Sequence, residues 1–417
     1  VINLLVDPDS VKEFLLKFNM EFISEFSNIQ LAILVMTIIC FFYLLKNLYL
    51  FYFYWWQVKF ATDIRISLST RIYRYYLHKP YDFYLNQNSS ILIRNINNET
   101  DNFQNGLISI IILLSEIIVI FGLVGLLFYI EPIPILIAIG VLGSSAILFN
   151  WFTQKGITQW SKKRIFHQGE IFKNLMQGFG GFKAIRILNR QQFFFDSFNN
   201  HIVNFSFADR WFKTLQQLPR LWLEFVAIFL LTLIVITLLI LGKSSESLFI
   251  ILGVYAATAF RLLPSVNKII MAIQRLRFVM PAIKIIYGEI NNEKKLNKKE
   301  YFSEDLKNNN KLDFSQKIHI KDLSFSYASE KKVLENVNLI INKLDSIGII
   351  GESGSGKSTL IDLFMGLLMP NTGSILLDDQ DISENYKGWQ KILGYVPQDI
   401  YLLDDTIAKN VALGLKE

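Results

Sequence analysis

The chain has 417 residues, which is enough for two domains, and 52% of them are apolar while only 19% are charged. Soluble domains carry about 45–50% apolar and about 25% charged residues, so the composition favours a membrane protein. The net charge of +6 does not indicate a nucleic-acid partner, because the basic residues lie in loops beside apolar segments rather than in one patch.

Five apolar segments approach the length of about 20 residues that a membrane-spanning helix needs. The loops at 58–104 and 154–220 are basic and are therefore predicted to be cytoplasmic, whereas the stretch with Asp7, Asp9 and Glu13 is acidic and predicted to lie outside. The predicted spans are Leu31–Trp56, Leu107–Ile130, Ile133–Thr153, Leu221–Leu241 and Leu248–Ile273.

Both predicted cytoplasmic loops show helical spacing, at Val58–Leu77 and Lys162–Phe195, which indicates helices that continue past the bilayer. A polar run at Lys294–Asn310 is typical of a linker, and short β-type segments follow it. The sequence therefore predicts a membrane domain, a linker and a soluble α/β domain. Their predicted bounds are 1–290, 291–316 and 317–417.

One motif carries recognisable chemistry. Residues 351–358 (GESGSGKS) match the phosphate-loop pattern GxxxxGK[ST] at every fixed position, between a predicted buried strand at Ser346–Ile350 and a predicted helix at Thr359–Leu368. Glycines in such a loop let backbone N–H groups converge on phosphates. Lys357 would then reach the β and γ phosphates and the Ser358 hydroxyl would join the Mg²⁺ shell, so the motif predicts binding of ATP with Mg²⁺.

From about Lys317 onward the chain resembles the nucleotide-binding domain of ATP-binding-cassette (ABC) transporters. Tyr327, in FSYAS, matches the family's aromatic residue that stacks on adenine, and Gln398, in GYVPQD, matches its glutamine loop, which senses Mg²⁺ and the γ-phosphate. The resemblance assigns no catalytic residue and places Ser358 and Gln398 at the metal. The implied nucleotide-binding residues are Tyr327, Gly351, Ser353, Gly354, Ser355, Gly356, Lys357, Ser358, Thr359 and Gln398.

Three further elements of that family do not follow Gln398: the LSGGQ-like signature, an apolar run ending in Asp-Glu (Walker B), and the switch histidine. Residues 376–379 (LLDD) and 402–405 (LLDD) imitate the apolar run but stand at the wrong places, and His319 is expected to be an ordinary strand residue. The chain is accordingly expected to be a fragment, which by itself would bind nucleotide weakly and would not hydrolyse it.

The apolar part resembles the membrane domain of ABC exporters, which has six spans, so the first span is expected to be missing. The implied fold is an all-α polytopic membrane domain followed by a truncated α/β P-loop domain. The resemblance further implies a half-transporter that pairs with a second half as a homodimer in the bacterial inner membrane, with the nucleotide-binding domain in the cytoplasm. Short coupling helices are expected at Tyr81–Asn88 and Gln191–Asn199.

Three segments resemble the lipid-linked-oligosaccharide flippases: 79–81 (KPY), 177–188 (QGFGGFKAIRIL) and 259–265 (AFRLLPS), although Ala184 replaces a more familiar acidic residue. They imply ATP-driven translocation of a lipid-linked oligosaccharide or a similar lipid. An exporter of lipid A, peptide or drug is one alternative, and a truncated, non-hydrolysing regulatory subunit is another.

Charged residues inside membrane spans cost free energy to insert and usually face a cavity. Glu116 and Arg261 are therefore expected to line one, with Glu116 paired to a cation. Arg220 and Glu224, four residues apart, are expected either to anchor their helix at the membrane interface or to pair with each other.

Overall fold

The computed structural model describes residues 27–130, 132–240, 245–297, 312–327, 332–398 and 400–415. They fall into two compact units: the first runs to Arg74 and resumes from Ser89 to Ile290, and the second contains Tyr75–Asn88 and the described residues from Asn291 onward. The acidic stretch with Asp7 and most of the predicted linker lie outside the described residues.

Long helices make up most of the first unit, and every predicted span lies, as far as it is described, within one of them. Three helical segments in the described part are long and apolar enough to cross a membrane, namely Ile33–Leu77, Ser89–Leu126 and Ile135–Gly180. The helices up to Asn297, of which α2 belongs to the second unit, are α1 (Asn28–Leu77), α2 (Tyr81–Asn86), α3 (Ser89–Arg94), a π-helix (Asn95–Glu99), α4 (Thr100–Ile130), α5 (Pro132–Gly180), α6 (Phe182–Ile187), α7 (Gln191–Leu215), α8 (Leu218–Ile240) and α9 (Ser245–Asn297).

The predicted helical extension at 162–195 is broken in the structure. Helix α5 ends at Gly180, the short helix α6 follows, and α7 begins only at Gln191. The break follows from Gly180-Gly181 and from Asn189, whose φ of 51° is left-handed and tolerated best by Gly and Asn. The predicted coupling helix at 191–199 is therefore the start of a 25-residue helix, whereas the one at 81–88 is the separate helix α2.

Apolar side chains of α5, α8 and α9 pack together in the first unit. Ile135 and Leu142 contact the cluster that contains Leu223 and Ile270, all of them buried. A second cluster contains Ile157 of α5 and two stacked aromatic rings, one from α7 and one from α9. The centroids of these rings are 3.6 Å apart. The stacked pair is Phe212 and Phe278.

A buried polar network lies where the π-helix meets α5. The Glu99 carboxylate is fully buried, with Arg94 Nε at 3.5 Å from one oxygen and Arg164 Nη2 at 3.7 Å from the other. Arg164 also donates a hydrogen bond to Asn102 (2.7 Å) and lies over the ring of Phe278. This one carboxylate thus neutralises two arginines that come from different helices.

The second unit contains a four-stranded antiparallel sheet with strand order β2-β1-β3-β4. Its core is built by alternating strand residues such as Ile318 and Ile320 with Leu363 and Trp389, all buried. The elements are β1 (Lys317–Ser326), β2 (Lys332–Asn342), α10 (Lys357–Phe364), β3 (Thr372–Leu377), β4 (Gln380–Asp381), a 3₁₀ turn (Ile382–Glu384), α11 (Tyr386–Gln390) and α12 (Ile407–Val411).

The predicted buried strand at Ser346–Ile350 is wrong. This segment has no regular structure, and the side chain of Ile350 is 95% exposed. A strand needs a neighbour for its N–H and C=O groups. Within the described residues no strand pairs with this segment, which explains why its apolar sequence does not form one.

Residues 376–379 form the end of strand β3 and the turn into β4. Leu377 pairs with Gln380, and Asp378 and Asp379 between them have φ of 46° and 69°, as a two-residue hairpin turn requires. The Asp378 carboxylate accepts hydrogen bonds from the backbone N–H groups of residues 315–317. These bonds, that from Lys317 first, hold the pKa of Asp378 below its ordinary value.

We expect Glu99→Ala to destabilise the first unit strongly, because it leaves two buried guanidinium groups without their counter-ion, which costs about 3–5 kcal/mol. Asp101→Ala is the matched control, since Asp101 lies two residues away in an exposed pair with Arg65 worth about 0.2–1 kcal/mol. The measurement is the thermal unfolding midpoint of the detergent-purified chain, expected to fall by roughly 10 °C for Glu99→Ala. Equal shifts in the two variants would contradict a central role for the buried network.

Candidate functional site

The loop at residues 351–356 is held in a conformation that depends on its glycines. Gly354 and Gly356 have φ of 83° and 89°, in the left-handed region. A Cβ on Gly356 would lie 3.0 Å from Leu334 Cδ2 and 3.1 Å from the carbonyl oxygen of Val333, so the loop rests directly on β2. Nothing lies within 4 Å of a Cβ on Gly354, whose side of the loop is open. The loop therefore has a packed side and an exposed side.

Lys357 folds back over this loop. Its Nζ donates hydrogen bonds to the carbonyl oxygens of Gly351 (2.8 Å) and Glu352 (2.7 Å). Within the part of the chain that the structure describes, Lys357 has no carboxylate partner. Its ammonium charge is thus balanced only by peptide dipoles, which favours an anionic ligand at this place.

The start of helix α10 adds unsatisfied donors. The first hydrogen bond that closes this helix runs from Leu360 N–H to Gly356 O (2.9 Å), so the N–H groups of residues 357–359 have no acceptor within the helix. The partial positive charge of a helix N-terminus favours an anion at the same end. Donors, helix dipole and the Lys357 ammonium therefore act together.

Tyr327 lies beside the first turn of α10. Its hydroxyl is 3.1 Å from the Thr359 hydroxyl, and its ring packs edge-to-face on Phe325 with centroids 4.9 Å apart. Thr359 is buried and Tyr327 half-buried. The structure thus brings Tyr327 and Thr359, both predicted site residues, together next to the loop, which ends at Gly356.

The remaining predicted residues are exposed. Ser353, Ser355 and Ser358 present hydroxyls around the loop, and Ser355 closes its turn by donating its N–H to Glu352 O (3.2 Å). Gln398 is exposed in an irregular segment and forms no hydrogen bond with the loop in the described residues. Val333 and Leu334, which support Gly356, were not predicted, because no motif marks an apolar β2 residue as part of a phosphate loop.

These groups fit a nucleotide with its metal ion. The loop offers unpaired N–H donors and one uncompensated ammonium to phosphates, and the oxygens of Ser358 and Gln398 suit Mg²⁺, which prefers oxygen ligands. No group of three His, Cys, Asp or Glu side chains among the described residues is placed to hold a metal.

A second feature is a cavity of about 650 Å³ in the first unit, lined from α1, α4 and α9. Glu116 lines it and is paired with Lys268 (2.6 Å), which confirms the prediction of a cationic partner. Lys46 and Arg275 also line the cavity, so three cations face one carboxylate. The side chain of Arg261 lies outside the described residues. The predicted pair of Arg220 and Glu224 is confirmed at 2.8 Å.

Comparison with known proteins gives two family matches: "ABC transporter transmembrane region" over residues 9–263 and "ABC transporter" over residues 334–414. The first covers more than half of the chain. The solved structure of a bacterial Atm1-family ABC exporter with ATP bound is similar to this chain, with a TM-score of 0.64 and 17% identity over 85% of this chain and 62% of that one. It supports the fold.

Three relatives illustrate the range of the matches. The ABC transporter ATP-binding protein YfiC of Bacillus subtilis is 21% identical over 89% of this chain and 61% of its own length. The ATP-dependent lipid A-core flippase of Paraburkholderia xenovorans is 24% identical over 85% of this chain and 58% of its own length. The alpha-hemolysin translocation ATP-binding protein HlyB of Escherichia coli O157:H7 is 44% identical over 23% of this chain and 14% of its own length. The chain thus spans 61% or less of each of these relatives.

We expect Gly356→Ala to destabilise the protein more than Gly354→Ala. Both force a non-glycine residue into the left-handed region, at about 1–2 kcal/mol, but only the methyl on Gly356 would collide with Leu334 and Val333. Thermal unfolding midpoints of the two full-length variants give the comparison, with Gly354→Ala as the matched control. A midpoint for Gly356→Ala at or above that of Gly354→Ala would contradict the packing of the loop on β2.

Proposed function

Because the chain belongs to the ABC transporter family, we propose that it is part of a half-transporter in which ATP at residues 351–359 drives export of a lipid-like molecule. The observation that carries this proposal is the uncompensated Lys357 ammonium over a glycine loop, in the same chain as long apolar helices. In this proposal residues 1–290 form the membrane domain and residues 317–417 belong to the nucleotide-binding domain, joined by the linker 291–316.

The proposed nucleotide contacts follow the geometry of the loop. N–H groups of Ser353 to Thr359, together with the glycine backbone at Gly351, Gly354 and Gly356, would surround the phosphates, and Lys357 would exchange its two carbonyl acceptors for phosphate oxygens. Tyr327 would stack on adenine. Ser358 and Gln398 would hold Mg²⁺, which supplies neutralisation of phosphate charge when bound.

The proposed partner is a second copy of the protein. Members of the family complete the ATP site between two nucleotide-binding domains, and ATP is proposed to bring these together and drive the membrane helices apart on one side. The basic residues around the spans support a cytoplasmic position for the nucleotide site, and the bacterial relatives support the inner membrane.

The cargo is proposed to be an anionic lipid, of which a lipid-linked oligosaccharide with its pyrophosphate is the leading example. The cavity of 650 Å³ offers three cations against one carboxylate, on otherwise largely apolar walls. Such a surface suits a phosphorylated head group with an apolar tail. Export of lipid A fits the same surface, whereas a cationic drug or peptide would meet like charges at Lys46 and Arg275.

Nucleotide binding is tested with Lys357→Ala in the full chain. We expect a fluorescent ATP analogue to bind with Mg²⁺ and the variant to lose roughly ten- to hundredfold in affinity, since a charge-assisted hydrogen bond contributes about 1.5–3 kcal/mol. Lys321→Ala removes an exposed lysine of β1 and should bind like the parent. Binding that is unchanged in Lys357→Ala would overturn the assigned site.

The class of cargo is tested by ligand-induced thermal stabilisation. An isoprenoid pyrophosphate should raise the unfolding midpoint more than the matching isoprenoid alcohol, because only the former engages the cavity cations. The double variant Lys46→Gln/Arg275→Gln should lose this difference, while Lys59→Gln, on α1 but outside the cavity lining, should retain it. Greater stabilisation by a cationic drug than by the pyrophosphate would favour the drug-exporter alternative.

A further inference from the structure

A second cavity, of about 540 Å³, lies between helices α5 and α9 and shares no lining residue with the first. Four cations line it: Lys155 and Lys162 from α5, and Arg277 and Lys284 from α9. No carboxylate is among its lining residues. Within the described part of the chain, none of these four cations forms an ion pair.

The walls of this cavity are fixed by contacts between the same two helices. Arg277 Nη1 donates to the side-chain oxygen of Asn150 (2.8 Å), and about three turns further along α5 the Ser161 hydroxyl donates to the backbone carbonyl of Phe278. Both Ser161 and Phe278 are buried. The gap between the helices is therefore a built feature that holds like charges together, and an anion would relieve their repulsion.

The position along the helices indicates the kind of anion. Lys155 and Arg277 each follow the apolar part of their helix, at Thr153 and Ile273, by no more than four residues. At 1.5 Å per residue, Lys162 lies about 10 Å farther from the apolar part than Lys155. Trp151, 62% exposed, stands just before this boundary, as aromatic residues do at the membrane interface.

The lining also has an apolar part, formed by Met280 and Pro281 of α9. A soluble anion would gain nothing from it, whereas a lipid could place its phosphate among the cations and its glycerol and first methylene groups against these side chains. Lysine and arginine are the usual ligands of phosphate groups in proteins.

We propose that the cavity between α5 and α9 binds the phosphate head group of an anionic membrane phospholipid at the membrane interface. This site requires only that the helices are embedded in a bilayer, and it is independent of ATP and of the cargo in the larger cavity.

The test is native mass spectrometry of the full chain in a mild detergent, titrated with phosphatidylglycerol. The double variant Lys162→Gln/Lys284→Gln is expected to bind this lipid roughly ten- to thirtyfold more weakly, at about fivefold for each interfacial lysine. Lys163→Gln/Lys294→Gln makes the same charge change outside the cavity lining and should bind like the parent. Phosphatidylcholine, which has no net charge, should bind the parent chain more weakly than phosphatidylglycerol.

Lys162→Arg/Lys284→Arg retains the charges and should retain binding, which separates loss of the site from loss of folding. An equal loss in both glutamine doubles would mean general attraction to the charged surface and would overturn the proposal, as would no loss in either. Inorganic pyrophosphate that binds as tightly as the lipid and displaces it would also overturn it, in favour of a soluble anion. Binding of the ATP analogue should be the same in all these variants, so the result does not depend on the proposed transport function.

Discussion

The buried carboxylate of Glu99 is the interaction on which the described part of the membrane unit most depends. It lies where the π-helix joins α4 and faces Arg94 and Arg164, so that two arginines of different helices share one counter-ion. A buried ion pair gains little over an apolar core when intact, but it is costly to break. The network therefore specifies one register of α5 against the π-helix, and through Phe278 it links that register to α9.

Helix α9, which this network reaches through Phe278, also lines the two cavities described above. The larger is lined from α1, α4 and α9, and the smaller from α5 and α9, so helix α9 contributes to each. The two cavities differ in charge balance, since Glu116 neutralises Lys268 in the larger one, while the charged residues that line the smaller one are all cations. A head group bound at the smaller cavity would therefore contact the same helix that lines the proposed cargo cavity.

Much of this structure could be predicted from sequence, because its strongest signals are local. Apolar length predicts the long helices, and the pattern around Lys357 predicts a glycine loop before a helix. The prediction that was wrong concerns a structure that needs a partner distant in sequence. Ser346–Ile350 has the composition of a buried strand but no neighbouring strand in the described residues. Likewise, no sequence pattern shows that Glu99 and Arg164, 65 residues apart, meet in the core, or that Leu334 supports Gly356.

Binding of a nucleotide with its base at Tyr327 and its phosphates at the loop before α10 is tested most directly by photolabelling. The full chain would be irradiated with 8-azido-ATP and Mg²⁺, digested, and the modified peptide identified by mass spectrometry. The predicted result is labelling of the peptide that contains Tyr327, prevented by excess ATP and by Lys357→Ala. Labelling confined to other parts of the chain, or labelling that excess ATP does not prevent, would contradict it.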